Sequence, residues 1–545
     1  MSRRPFTLVV SFSVLLILSL LLAACGGGTP APAEEPTGVS ALPTTGEAPP
    51  SEETVPTQQG EISENIATVA FFQDIPALDP GYMLTSDHVI GFQVYETLTM
   101  WDPDKGVMPK LATSWEPNED GTEWTFHLRQ GVKFHDGTPF TADAVKFSYE
   151  RTVQLGLMAY YFAALEGIEV VDDYTIRIKL NAPRPMPMVL SAGYGMFIVN
   201  PNTADKPSEW YAEGHDAGTG PYRIESYEAG SRLVLTRFPD YWGGWKEGQF
   251  TKVVYNIVED PTVRQQMIQS GEADFTMFLP YEVHDAIEAS GEVAVVVAPV
   301  FSNYFYQFHL DKPPMDNLSF RRALTYSFPY EAAQQLAFGG YATIAEGLAP
   351  RGLWDPPGDM VRPGYDLDEA RTLLEGAGLG EGIELSLGYT VGDENQERLG
   401  LLWQAELAKL GIELKLQGLT NPSWWENVYN PDNEFDIMSI IWAGGYRSAH
   451  EFMILYHSLD TFTPYVSYSN ADYDTLIYDA LAAEAKDLGE ANRLYAQANQ
   501  MLYDDAVGVF ALDTPSDFEY RTGIEGFKPN PVQWDMHLWY DMTRK

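Results

Sequence analysis

The chain has 545 residues, with 77 acidic against 34 basic side chains and a formal net charge of −43. That charge repels phosphate backbones and anionic lipid surfaces, which excludes nucleic-acid binding and adhesion to a membrane through the protein's own surface. With 45% hydrophobic and 13% aromatic residues the bulk is globular, and its length suggests about three domains.

Arg3 and Arg4 precede an apolar run, Leu8 to Leu22, followed by Ala23, Ala24 and Cys25, the one cysteine of the sequence. This is the order of a secretory signal: basic start, apolar stretch, small residues at the cleavage site. The stretch approaches the length of a membrane-spanning helix, but Cys25 argues for processing. Leu22-Ala23-Ala24-Cys25 resembles the lipobox of bacterial lipoproteins, which implies a signal peptide at 1–24 and a diacylglycerol on the Cys25 sulfur. With its thiol used by lipid, the exported chain has no disulfide and relies on core burial. Residues 25–61, rich in Pro, Thr, Glu and Gly, predict a disordered stalk. Its root-mean-square span is roughly 30–35 Å.

Structure is predicted from about Ile62. "ATVAFFQ" reads as a buried strand, with Pro76, Pro80 and Gly81 in the loop after it. "EWTFHLR" (123–129) alternates apolar and polar residues, and Gln130-Gly131 suggests a hairpin turn into "VKF". Asp136-Gly137 is a second turn, and Thr141 is placed to cap a helix carrying Val145 and Tyr149. "DDYTIRIKL" (172–180) and "TKVVYNIVE" (251–259) are further strands. Asp260 caps a helix with Pro261 at its first position and Gly271 at its end. "IELSLGYT" (383–390), a helix from about Asn395 to Leu410, and "GIELKLQ" (411–417) form a strand–helix–strand unit expected to pair in parallel. "FDIMSIIW" (435–442), two helices at about 472–486 and 489–504, and the strand "VGVFAL" (507–512) complete an α/β fold with mixed sheets.

No catalytic constellation emerges. His135-Asp136-Gly137 invites a metal-hydrolase reading, but without further metal-ligand spacing the turn accounts for it. There is no HExxH, no His/Cys cluster and no GxSxG elbow. "GTGPYR" (218–223) is not a dinucleotide loop, and Asp102, Asp104 and Gly106 lack the glutamate that would complete a calcium loop. No cofactor and no metal is expected.

A set of spaced segments does carry a resemblance. "VYETLTMWDPDKGVMPKLATSWEPNEDGTEWTFHLRQGVKFHDGTPFTADAVKFSYER" (94–151), "LDP" (78–80), "GTGPYRIESYEAG" (218–230), "PDYWGG" (239–244), "RQQMIQSGEADF" (264–275), "FRRALTYSF" (320–328), "YDLDEARTLLEGAG" (365–378) and "YSNADYDTLIYDA" (468–480) are similar to the family 5 solute-binding proteins of ABC importers. The match covers about 62–545. It implies a periplasmic-binding-protein type II fold with two lobes, a hinge and three domains. Domain I would comprise 62–98, 216–309 and 513–545, domain II 99–215, and domain III 310–512. Two crossings would join domains I and III, near "YQFHLDK" and "FALDTPS". The implied function is lipid-anchored capture at the extracytoplasmic face of the cell membrane. A monomer would bind a peptide and deliver it to the permease and its ATPase.

The departures concern what is bound. Peptide-binding relatives place an aspartate shortly after the tryptophan of the domain III strand, where it holds the peptide's α-ammonium; here Gly445 stands at that position. Ser439 and Asn430 lie where some relatives have carboxylate-binding arginines. The strand Trp442-Ala443-Gly444 could pair with an extended peptide, with Gly445 and Tyr446 beside it as further candidate ligand contacts. Trp424 and Trp425 could be core or could stack on a side chain or a sugar ring. His450 is expected as a surface or pocket-rim histidine, while Asp74, ahead of Ile75, and Glu451 are acids that could replace the missing aspartate. The expectation is weak binding of free dipeptides. The alternatives are an oligosaccharide receptor on the same scaffold and an exported hydrolase.

Overall fold

The computed structural model describes residues 65–545 apart from 84–86, 157, 359 and 381. The leader, Cys25 and the stalk lie outside the described residues. Among those described, no helix is long and apolar enough to cross a membrane.

The backbone of the molecule is an 11-stranded mixed sheet, ten strands in sequence with the short Thr343–Ile344 paired beside Gly508–Arg521. Two long strands, Val293–Phe308 and Gly508–Arg521, run antiparallel through its middle. Outside the first lie Ile437–Ala443, Ile383–Thr390 and Ile412–Leu419. Outside the second lie Phe275–Met277, Ile66–Phe71, Lys252–Ile257, Arg232–Arg237 and Tyr222–Glu228. The central ladder is interrupted where Pro299 faces Pro515, and pairing resumes only at Asn303–Asp513. Proline has no N–H to give a ladder, so two opposed prolines open it from both sides. This break lies a few residues before the "YQFHLDK" stretch, within a strand that the sequence reading did not single out.

A second, antiparallel sheet of four strands joins Ala112–Pro117, Glu123–Leu128, Thr175–Leu180 and Leu165–Asp172. Here the alternation read from "EWTFHLR" is realised: Trp124, Phe126 and Leu128 are buried. The hairpin into "VKF" is not formed. Glu123–Leu128 pairs with Ala112–Pro117 and Thr175–Leu180 instead, leaving Lys133 a single bridge to Pro139. Thr141 precedes its helix, Ala142–Leu155, without a side-chain cap.

The parallel strand–helix–strand unit is present, with Ile383–Thr390 in register on Ile412–Leu419 across the helix Glu394–Ala408. Helix starts follow the capping rule elsewhere. The side chains of Asp260, Asn317, Asp366, Asp393, Asn470 and Asp487 each accept the first free N–H groups of their helices. Each such cap contributes about 1 kcal/mol.

Separate buried clusters serve the parts. Tyr255, Phe275 and Trp539 centre one; Phe126, Tyr149 and Ile176 centre that of the small sheet; Trp403 with Phe308 and Phe328, and Tyr456 with Phe510 and Tyr473, centre two more. "GTGPYR" is explained by close backbone approach. A Cβ on Gly218 would strike the Val94 carbonyl, one on Gly220 would lie 2.6 Å from Val94 backbone atoms, and the Gly220 N–H donates to that same carbonyl at 2.9 Å. Gly218→Ala should therefore destabilise the protein by about 1–3 kcal/mol, read as a lower urea midpoint at unchanged slope.

Candidate functional site

The strand Ile437–Ala443 delivers Trp442 and Ala443 to the end of the large sheet, where Gly444 and Gly445 reverse the chain into the short helix His450–Met453. The reversal is held shut by its own polar groups. The Trp442 indole donates to the Glu451 carbonyl at 2.9 Å, and the Gly445 N–H donates to the Glu451 carboxylate at 3.2 Å. Gly444 allows this closeness, since a Cβ there would sit 3.0 Å from that of Glu451.

Other parts of the chain converge on the same turn. From the helical turn Ala159–Phe162, beside the small sheet, the Tyr161 hydroxyl donates to the Glu451 carboxylate at 3.0 Å. Its ring lies edge-on to Tyr446, with centroids 5.4 Å apart. From the C-terminal segment, Gln533 donates to the Gly445 carbonyl at 3.0 Å. Next to this junction lies a cavity of about 410 Å³, walled on one side by Trp124, Pro185 and Met188 and on the other by Leu353, Arg447 and Glu484.

The electrostatics are those of a buried acid with neutral partners. Burial pushes the Glu451 carboxyl up to about 7, against the opposing pull of the Gly445 N–H and the Tyr161 hydroxyl. Burial likewise brings Glu484 to about 7, although the Ser448 and Tyr495 hydroxyls donate to it at 2.7 Å. Near neutrality Glu451 therefore titrates within reach of any cation that enters.

The profile of the bacterial extracellular solute-binding proteins, family 5 middle region, matches residues 106–499, well over half of the chain. The protein belongs to this family. It is accordingly an extracytoplasmic solute-binding protein of ABC import, not an enzyme, with the family's type II binding-protein fold. Among relatives, "Probable D,D-dipeptide-binding periplasmic protein DdpA" of Escherichia coli K12 is 28% identical over 88% of this chain and 94% of its own length. The glutathione-binding protein GsiB of Pectobacterium atrosepticum is 27% identical over 82% and 88%. The fold superposes on the periplasmic binding protein DppA of Helicobacter pylori, solved with the peptide STSA, with a TM-score of 0.77 at 22% identity, covering 88% of this chain and 98% of that one.

Within the family 5 protein, the residues singled out from sequence separate into groups. Trp442, Ala443, Gly444, Gly445, Tyr446 and Glu451 come together at the turn. Trp425 is half-buried, stacked on Tyr429 at 5.3 Å and edge-on to Trp442. Trp424 is core: 4% exposed, its indole donating to the Ser439 carbonyl. Ile75 is also core, and exposed Asp74 holds its own turn by accepting from the Ile75 and Gly230 N–H groups. His450 is not a rim residue. It is buried, its ring contacts the Ile477 carbonyl, and burial, then the Arg184 charge, hold it down at about 3.

Gly445 carries no acid, but Glu451, one of the two acids named from sequence, lies against it. A side chain at 445 would meet the Tyr161 hydroxyl and lie 2.8 Å from the Tyr194 ring, so Gly445→Asp has no room in this arrangement. Tyr161, Tyr194 and Gln533 escaped the sequence reading: aromatic residues in "AYYF" look like core, and a lone glutamine in a tail carries no pattern.

Because the folded state holds the Glu451 proton to about pH 7 and the unfolded chain loses it near 4.5, stability falls as pH rises through that window. Glu451→Gln removes this contribution. Between pH 5 and pH 8 the wild type should lose stability relative to the variant by roughly 3 kcal/mol at most, measured as paired denaturant titrations at each pH.

Proposed function

We propose that the protein is a lipid-anchored receptor that captures a peptide between two closing lobes, with Glu451 receiving the peptide's amino terminus, and delivers it to an ABC permease. The observation that carries this is the buried Glu451 carboxyl beside Gly445, whose hydrogen-bond partners are the neutral Gly445 N–H and Tyr161 hydroxyl. A buried carboxylate without a counter-charge is costly, and an incoming ammonium supplies that charge. The Tyr161 hydroxyl holds the acid until the ligand displaces it. Beyond Met438, the strand Ile437–Ala443 has no ladder to Ile383–Thr390, which leaves main-chain groups for an extended peptide. The adjoining cavity has the volume of small-ligand sites. The names of relatives that bind dipeptides and glutathione support the same class.

In this reading the lobes are 62–98, 216–309 and 513–545 with 99–215 on one side, and 310–512 on the other. Their separate cores and the proline-opened ladder between Val293–Phe308 and Gly508–Arg521 support a hinge there. The oligosaccharide reading keeps one support, the half-buried Trp425, and loses Trp424 to the core.

Free peptides should bind better than expected from Gly445 alone. An ammonium bound at Glu451 lowers the acid's pKa, so binding should release close to one proton at pH 6 and about half a proton at pH 7. Calorimetry in buffers of different ionisation enthalpy counts these protons. N-acetylation of the peptide, or Glu451→Gln, should abolish the release and weaken binding by roughly ten- to a hundredfold. Equal affinity for free and acetylated peptides, with no proton released, would exclude Glu451 as the receiving group.

The tether has its own test. Cys25→Ala should leave the chain unprocessed or shed into the medium, with unchanged ligand affinity in the purified body. Wild-type cleavage and membrane retention of that variant would contradict lipid attachment.

A further inference from the structure

We propose that His284, Asp517 and Glu519, away from the peptide site, bind one divalent transition-metal cation of the zinc class. Asp517 and Glu519 are two apart on the strand Gly508–Arg521, so both face the same side of the sheet. His284 begins the short helix His284–Glu288 that packs across that face. Its Nε2 lies 3.3 Å from Asp517 Oδ2 and 3.2 Å from Glu519 Oε1, and one donor atom from each residue falls within 4.8 Å of the others. All three side chains are nearly inaccessible, at 4%, 3% and 0% exposure for His284, Asp517 and Glu519.

These contacts have ion-pair distances but lack hydrogen-bonding angles. Both ring nitrogens of His284 and both carboxylate oxygens of Glu519 are buried without a partner of hydrogen-bonding geometry. The separations instead match the edges of a tetrahedron of donors around an ion with bonds of about 2.0–2.1 Å, for which neighbouring donors stand about 3.3 Å apart. The Leu279 N–H donates to Asp517 Oδ2 at 2.9 Å and fixes its orientation, as outer partners of metal-binding carboxylates do.

Apart from His284 itself, which pairs with both acids when protonated, the Arg264 side chain does not satisfy them. The Arg264 guanidinium bonds to the Val258, Glu259 and Phe278 carbonyls, and its Nε has no partner. One neutral imidazole with two carboxylates balances a divalent ion. A mixed nitrogen and oxygen set with no thiolate suits zinc and its neighbours, whereas calcium and magnesium take six or more oxygens. The ion would clamp the helix to the strand two residues beyond Pro515, where the central ladder reopens.

The purified protein, stripped with chelator during unfolding and refolded with Zn²⁺, should retain about one ion per chain after gel filtration and melt at a higher temperature than protein refolded without it. Glu519→Gln, nearly the same shape, should bind at least tenfold more weakly. Crystals grown with Zn²⁺ should show an anomalous scattering peak between the three side chains. That peak decides the matter even if Glu519→Gln does not fold. No retained zinc, unaltered binding by the variant, or a map empty at this position would overturn the proposal and leave a cluster that balances its charge with protons alone.

Discussion

The pairing of Val293–Phe308 with Gly508–Arg521 is the constraint on which the molecule depends. Every other strand of the large sheet is tied to this pair directly or through its neighbours, three in sequence to one side, five in sequence to the other, and the short Thr343–Ile344 directly on Gly508–Arg521. Without the pair the sheet would be two sheets. Yet the ladder is weakest at its centre, where two prolines face each other and the register slips before Asn303. Main-chain bonds on either side keep the halves aligned, and under the proposed function the gap between them is where the lobes turn.

The junction at Gly445 adds a second kind of constraint. A carboxyl is taken out of water and given only neutral partners, so its charged form is disfavoured by burial. In an enzyme such a group serves as an acid; under the proposed function it receives positive charge. Its position matters as much as its burial. The carboxylate is reached by a tyrosine beside the small sheet, while the carbonyl of the same turn is reached by a glutamine from the C-terminal segment. Under the proposed function, closure and recognition share atoms.

Much of the fold was legible because local signals agreed with global ones. The unit at 383–419 shows alternation, a capping aspartate and a second strand of the same period, and Asp260-Pro261…Gly271 marks both ends of its helix. The central strand was illegible for the reason it is interesting. "VAVVVAPVFSNYFYQF" is apolar without alternation and carries a proline, so nothing local separates it from a loop between shorter elements. The hairpin at Gln130-Gly131 failed because Glu123–Leu128 finds better partners in Ala112–Pro117 and Thr175–Leu180, choices made by the sheet and not by the turn. At the site, comparison of single positions located the turn and offered Asp74 and Glu451 as replacement acids, but only the chain reversal shows that Glu451, and not Asp74, lies against Gly445. Asp517 and Glu519 gave no metal signal for a similar reason: their histidine comes from a distant helix.

The contacts that bring the small sheet's flank against residues 446–462 are aromatic or neutral: Tyr161 on Tyr446, Tyr160 edge-on to Phe462 at 4.9 Å, and the Tyr161 hydroxyl on Glu451. None of these needs a pair of opposite charges, the Arg184 guanidinium over the Tyr478 ring at 5.4 Å being a cationic contact nearby, whereas the chain as a whole carries a net −43. Bringing its parts together compresses like charge, and that repulsion reaches about 30 Å at 0.01 M ionic strength but only about 8 Å at 0.15 M. The adhesive part of the interface is indifferent to dissolved ions and the repulsive part is not. Added electrolyte thus favours the compact form of this acidic protein, the reverse of its effect on a clasp built from salt bridges.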